Sequence, residues 1–453
     1  MASARRRGPT GFTGFTIVWA GQFFSMLGTG MTQFAITIWA YELTGKATAL
    51  ALVGFFGFAP IVLFSPLAGA IVDRVSRKVV MAASDIAAGV TTAALLILHV
   101  TGHLQLWHLF VTGFFAGAFG SFQFPAYSAA ISTMMDKKHY ARASGMLGLA
   151  ESASGIIAPM LAGGLLLLIG LRGIFLLDLA ALALAIGTLL IVYIPQPARD
   201  PGKAEQASLW SDCLFGFKYI FASPSLLGLQ LVFLAINFVA MFGFAVLAAM
   251  VLARTGTDKL ALGAVQMALG VGGVAGGALM AAWGGFKHRV HGVLLGMAFG
   301  GLFGLTALGI GRGLAVWWIG AFVLALTEQV LNGSNQAIWQ AKVPPALQGR
   351  VFATRRLIAQ ISGPIALLAA GPLADRVFEP LMQSGSPTAN LFAHLVGSGP
   401  GAGMGLMFVF AGLLAMVVGV GGYAFPAVRN VDTLVPDHDE VAKPATVAAE
   451  ATE

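Results

Sequence analysis

Charge is what this sequence lacks most. Only 10% of its 453 residues are Asp, Glu, Lys or Arg, while 57% are hydrophobic. A soluble domain carries roughly a quarter charged residues, so most side chains here face lipid or one another, as in a polytopic membrane protein. Cysteine is nearly absent too: the lone Cys213 excludes an internal disulfide and any cysteine-rich metal site. No glycine-lysine phosphate-binding loop is present, which removes ATP-driven transport. The histidines are scattered. His99 and His103 share helical spacing but have no acid nearby, so no metal site and no cofactor are expected. The net charge of +7 is assigned to membrane anchoring and not to nucleic acid, because no soluble domain exists to carry a basic patch. Nothing in the chain points to an enzyme.

What is abundant is long apolar runs. Crossing the hydrocarbon core takes about 20 apolar residues as helix. Twelve stretches qualify, at about 15–41, 49–72, 79–100, 104–131, 143–168, 174–194, 226–253, 260–283, 290–310, 314–339, 351–373 and 403–425. The first is too long for a signal-peptide core and is expected to remain as a membrane helix. With the N-terminus inside, 20 of the 26 lysines and arginines fall on the inner side and six on the outer. This asymmetry places both termini in the cytoplasm.

The organisation predicted is an all-α membrane protein whose twelve transmembrane helices form two pseudo-symmetric six-helix bundles. The first spans residues 1–194 and the second 226–428. Between them, 195–225 forms a cytoplasmic link. Its residues Trp210, Cys213, Leu214, Phe217, Ile220 and Phe221 are spaced for one apolar face, either of an interfacial helix or of an extension of the seventh span. The tail, 429–453, is expected to be disordered. An offset of 208 pairs Arg142 with Arg350, Ser154 with Ser362, Gly155 with Gly363, Gly163 with Gly371 and Gln22 with Gln230. Two parallel repeats of this kind put a binding site between them near mid-depth.

Four acids fall within the spans: Asp85, Glu151, Asp178 and Glu328. A charge at bilayer depth costs several kcal/mol, so each must be paired, protonated or in contact with water. Glu151 lies nine residues past Arg142, about 13 Å along a helix and close to the midplane. Glu328 is similarly central. These two are the candidates for proton coupling. Asp85, nearer the inner face, is assigned to a network with the basic loop that follows residue 72, and Asp178, nearer the outer face, to a gate or a structural pair with Arg172. A polar stripe of Asn332, Asn335 and Gln336 accompanies Glu328. With Gln22, Ser25, Thr29 and Gln33 of the first span, and Asn237 and Gln266, it is expected to line a substrate cavity. Phenylalanine-rich neighbours suit a bulky amphipathic ligand.

The charged link between the second and third spans reads Gly69-x-x-x-Asp73-Arg74-x-Ser76-Arg77-Lys78. It resembles the loop signature of the major facilitator superfamily, with Ser76 where a glycine is usual. That resemblance implies a cytoplasmic latch made by Gly69, Asp73, Arg74, Arg77 and Lys78. Asp73 would face the start of the eleventh helix, and Asp136 or Asp85 would serve Arg77. The second-half link, 284–289, lacks the acid. Residues 22–47, Trp339 to Pro344, Gly349-Arg350-Val351 and Gly371-Pro372-Leu373-Ala374-Asp375 resemble the enterobactin-exporter and macrolide-efflux branch of that superfamily. In the fifth span Gly145, Pro159 and Gly163, with Ser154, Ala158 and Ala162, resemble a degenerate form of the glycine-proline hinge of its exchangers. The resemblance implies a monomeric bacterial inner-membrane antiporter. It would export a small amphipathic siderophore, macrolide or peptide product against protons, by alternating access. A nutrient symporter or uniporter, a lipid scramblase and a non-transporting receptor remain open alternatives.

Overall fold

Glycine, alanine and leucine runs with few interruptions dictate helix throughout, and the computed structural model contains no strand among the described residues, which are 8–134, 139–195, 209–383 and 385–438. In chain order the elements are α1 (Gly11–Thr44), α2 (Ala47–Arg74), α3 (Arg77–Val100), α4 (Leu106–Met134), α5 (Tyr140–Ile191), α6 (Leu209–Ala222), α7 (Pro224–Thr255) and α8 (Lys259–Trp283). Then come α9 (Arg289–Phe299), a π-helical stretch (Gly300–Leu305), α10 (Thr306–Ile310), α11 (Leu314–Lys342), α12 (Pro345–Leu373) and a second π-helical stretch (Ala374–Phe378). Short elements α13 (Glu379–Leu381) and α14 (Pro387–Val396) precede α15 (Ala402–Gly422), α16 (Pro426–Arg429) and α17 (Val431–Leu434).

Ten helices among the described residues are long and apolar enough to cross a membrane. Large aliphatic side chains stand outward on them, with Leu168 81%, Leu63 67% and Leu190 66% exposed, a surface suited to hydrocarbon and not to water. The ten leave out α1, which is 34 residues long, and count the 47-residue stretch Gly145–Ile191 once. That stretch is not one straight rod. Gly170 sits at φ 63°, ψ −176°, a conformation open to glycine, and breaks α5 in two without a loop. The sequence reading placed a gap here, between spans five and six; the backbone makes the turn with a single residue.

The chain divides into two compact units. One comprises 1–202, 245–270 and 370–376, and the other 203–244, 271–369 and 377–453. In unit 1, α1 packs along α5, α2 against α4, and α3 against both α4 and α5. A hydrophobic core in it gathers Phe15, Val18, Met81, Tyr127, Ala143 and Leu189. In unit 2, α9 and the adjoining π-helix pack between α11 and α15. Its corresponding core gathers Ile220, Leu229, Val293, Trp339, Val351 and Val428.

Four of the five residue pairs related by the 208-residue offset share a burial class, while Gly155 is exposed and Gly363 buried. Gln22 and Gln230 are both buried, at 5% and 1% exposure, and so are Ser154 and Ser362, at 6% and 5%. Arg142 stacks over Phe12 at 4.5 Å, and Arg350 stacks over Phe215 at 5.6 Å. A cation over an aromatic face near a helix end recurs in each unit, as a duplicated ancestral bundle would leave it.

In the expected central link, 195–225, residues 196–208 lie outside the described set, as do the side chains of Trp210, Cys213 and Leu214. The described remainder includes α6, whose Ile220 is buried in the unit 2 core. The expected disordered tail likewise lies largely outside the described residues, but its first part is folded. Val428 and Val431 are buried in that same core, and Asp432 accepts the backbone N–H of Val290 at 3.0 Å, capping α9. Lys342, with its side chain only 3% exposed, donates to the Asp432 carbonyl at 2.6 Å and ion-pairs with Asp437 at 2.7 Å. Lys342→Met is therefore expected to free residues 426–438. Losing these charge-assisted contacts costs about 1–3 kcal/mol. The effect is readable as a lower melting temperature and faster amide exchange confined to that segment; unchanged exchange there refutes the pinning.

Candidate functional site

Each unit holds a cavity with a carboxylate in its wall. In unit 1 a space of about 430 Å³ opens among α1, α3, α4 and α5. Gln22, Ser25 and Thr29 of α1 line it, and so do Asp85, Gln123, Glu151, Ser154 and Pro159. In unit 2 a smaller space of about 80 Å³ is lined by Asn237, Phe233 and Phe244 of α7, by Glu328 and Asn332 of α11, and by the π-helical residues Gly300, Gly301 and Leu305.

The polar side chains around the first cavity are locked to one another. Asp85 is 4% exposed. It accepts from Gln22 Nε2 at 2.7 Å and from Gln123 Nε2 at 2.9 Å, and Gln123 also donates to Gln22 Oε1 at 2.9 Å. A buried carboxylate needs such donors, since none come from lipid. Asp85 thus belongs to the cavity wall and not to the loop network expected for it. Glu151, by contrast, is exposed into the same space.

Asp178 also has different partners from those expected. It is fully buried, and three threonine hydroxyls donate to it: Thr32 and Thr92 to Oδ2, both at 2.9 Å, and Thr29 to Oδ1 at 3.2 Å. These hydroxyls replace the Arg172 guanidinium that position alone suggested. Gly28 makes the approach possible, because a Cβ there would stand 2.9 Å from both Asp178 Cα and Oδ1. Thr29 and Thr32 lie three residues apart on one face of α1; the sequence reading named Thr29, as a cavity residue, but neither Thr32 nor Thr92 of α3.

The loop after α2 shows how its bases are used. Arg77 Nη1 donates to the Ala129 carbonyl at 2.7 Å and to Thr133 Oγ1 at 3.0 Å, near the end of α4. Lys78 Nζ donates to the carbonyls of Leu190 and Val192 at 2.9 and 2.8 Å, at the end of α5. Lys78 sits where the C-terminus of α5 leaves carbonyls free, and the Arg77 guanidinium is engaged by α4 and not by Asp85. Asp136 lies outside the described residues, as do the side chains of Asp73 and Arg74. Gly69 belongs to α2.

The remaining predicted cavity residues divide. Asn237 donates to the Phe233 carbonyl at 2.7 Å while lining the second cavity. Asn335 is 1% exposed and accepts from Trp339 Nε1 at 3.1 Å, and Gln336 accepts from Arg355 Nη2 at 3.0 Å. Gln33 is exposed, Gln266 is half-buried, and both lie outside these two walls. In the fifth span, Pro159 lines the first cavity, and a Cβ on Gly163 would stand 3.0 Å from the Lys259 carbonyl oxygen. Gly145 is exposed, with open space around its Cα.

This architecture has relatives. The family model for the Major Facilitator Superfamily matches residues 18–367. Macrolide efflux protein A of Streptococcus pyogenes is 25% identical over 365 residues, covering 80% of this chain and 90% of that one. Multidrug efflux pump Tap of Mycolicibacterium fortuitum is 24% identical, covering 82% and 90%. Enterobactin exporter EntS of Shigella flexneri is 24% identical, covering 74% and 79%. Among solved structures, a POT family transporter in complex with 5-aminolevulinic acid superposes with a TM-score of 0.69 at 14% identity, covering 94% of this chain and 99% of that one. A bacterial homolog of the human lysosomal transporter Spinster, inward-facing and unoccupied, gives 0.63 at 14%, covering 90% and 98%. Ten apolar spans, paired polar cavities and a family match across most of its length place the chain in the Major Facilitator Superfamily, as a multi-pass membrane transporter.

Proposed function

We propose that the protein exports a small amphipathic compound in exchange for protons, by alternating access. The carrying observation is that each cavity presents one accessible acid, Glu151 or Glu328, and neither wall contains a lysine or arginine. Twelve crossings in two bundles follow if α1 counts as a span and α5 counts as two, one on each side of Gly170. Both termini then lie in the cytoplasm and the bundles sit in a bacterial inner membrane, with loops 69–78 and 284–289 inside. Asp73 and its basic neighbours supply the inner latch in this reading. The two efflux-named relatives above support export over uptake.

Division of labour among the acids supports the coupling assignment. Asp85 and Asp178 have their oxygens filled by protein donors, so they hold helices together. Glu151 and Glu328 face open space and can exchange a proton or a substrate cation for water. The aromatic and amide neighbours Phe233, Phe244, Asn237 and Asn332 supply an apolar wall with few directional contacts. Acid walls without a base favour a cationic amphipath, such as an amine-bearing macrolide, over an anionic siderophore.

Two measurements test this reading. In inverted vesicles under an imposed pH gradient, Glu151→Gln with Glu328→Gln is expected to lower proton-driven export at least tenfold, an effect of roughly 1.4 kcal/mol or more. Full proton-driven export by the double variant refutes the coupling role. In a competition series matched for size and apolarity, cationic compounds are expected to be exported and to quench tryptophan fluorescence, and anionic ones to do neither; preference for the anions reverses the assignment of charge class.

A further inference from the structure

Unit 1 draws in two pieces from the second half of the sequence, 245–270 and 370–376, and the way they are held is unusual. Asp375, in the π-helical turn after α12, accepts from the backbone N–H of Ala47 at 2.9 Å and of Thr48 at 2.8 Å. These are the first two residues of α2, whose own N-cap position, Lys46, supplies no side-chain cap. The cap comes instead from a residue about 330 positions away in the chain. A carboxylate there satisfies two orphan donors and meets the positive end of the helix dipole.

The approach is close by design of the residue beside it. Gly371 lies one helical turn before Asp375, and a Cβ on it would stand 2.6 Å from Thr48 Cα and 2.9 Å from the Ala51 Cβ. At the same end of the unit, Glu42 at the end of α1 pairs with Lys259 at the start of α8 at 2.8 Å. Within unit 1 the polar contacts of these pieces with the α1–α2 corner include one doubly bonded carboxylate and one ion pair, beside a close glycine approach.

Sequence adds a second observation. Gly371-x-x-x-Asp375 has the same form as Gly69-x-x-x-Asp73, which closes the other end of α2. The resemblance sets Asp73 against the start of the helix that leads to Asp375. The structure sets Asp375 against the start of the helix that ends with Asp73 and Arg74.

We propose that Asp375 is the outer-face latch of the transport cycle, a positioning residue that holds the outer side shut by capping α2 and releases it when the cap breaks. The inference rests on the alternating-access reading above. In this reading Asp375 acts at the N-terminal end of α2 and the charged loop that follows α2 acts at its other end, at opposite faces of the membrane.

The test uses the full chain with Cys213→Ser, spin labels at Lys46→Cys and Arg376→Cys, and reconstitution in lipid. Both label sites are exposed and flank the cap. The parent is expected to give a short-distance population. Asp375→Ala is expected to lower the ratio of short to long distances about fivefold or more, and Asp375→Asn less, since an amide oxygen still accepts without a full charge. Gly371→Ala, a wedge that leaves the carboxylate intact, is expected to shift the distribution the same way. Unchanged distributions in Asp375→Ala and Gly371→Ala overturn the latch, whether or not melting temperature falls, because a merely structural cap lowers stability without redistributing distances. A parent that exports no tested compound counts against the transport reading, while the distance distributions still decide the latch.

Discussion

Lipid offers no hydrogen-bond donor or acceptor, and that single fact organises this molecule. Every polar atom inside the spans must find its partner within the protein or in water that enters a cavity. The three threonine hydroxyls around Asp178 and the two glutamine amides around Asp85 are the clearest result. Each cage is assembled from three helices, so each fixes the rotation of those helices about their own axes as well as their spacing. Apolar packing alone, on leucine- and alanine-rich surfaces, leaves such rotations poorly defined, because one aliphatic face resembles another. Hydrogen-bonded acids therefore give unit 1 a specific arrangement, and the glycines at close approaches, such as Gly28 beside Asp178, let the backbones come near enough for the bonds to form.

The same constraint separates caged acids from accessible ones. An acid whose oxygens are all engaged by donors of the protein ties the helices that carry those donors together. An acid facing a water-filled space has partners that come and go, and its charge is available to a ligand. Glu151 and Glu328 are in that position, one in each unit. Their placement in separate cavities is what a duplicated bundle provides: one accessible carboxylate per repeat. The matched burial of Gln22 with Gln230 and of Ser154 with Ser362, and the matched stacking of Arg142 and Arg350, point to the same ancestry.

Much of this was legible in the amino-acid sequence, and the parts that were not share a cause. Apolar run length located the spans, since bilayer thickness sets a length that composition cannot disguise. Spacing put Glu328 and Asn332 on one face, and they line one cavity. What linear spacing does not carry is the azimuth of one helix against its neighbours. Asp85 lies near the inner face in sequence terms and so was paired with the basic loop. Its side chain turns instead toward α1 and α4, and the bases it was paired with are engaged by α4 and by the end of α5. Asp178 was paired with the nearest arginine in the chain, although three hydroxyls from two other helices were closer in space. Gln123 and Thr92 drew no notice because single polar residues in apolar runs have no periodic signature.

The π-helical stretch Gly300–Leu305 has a last implication. Thr306 Oγ1 reaches back five residues to the Gly301 carbonyl at 3.1 Å, and Gly300, Gly301 and Leu305 form part of the wall around Glu328. A π turn holds one residue more than an α turn, which displaces everything beyond it by roughly 100° of helical phase. Residues on the two sides of the bulge therefore present to the cavity through a backbone offset, not through a choice of side chain. Where Gly300 and Gly301 meet this space, the course of the backbone and not a side chain sets its outline.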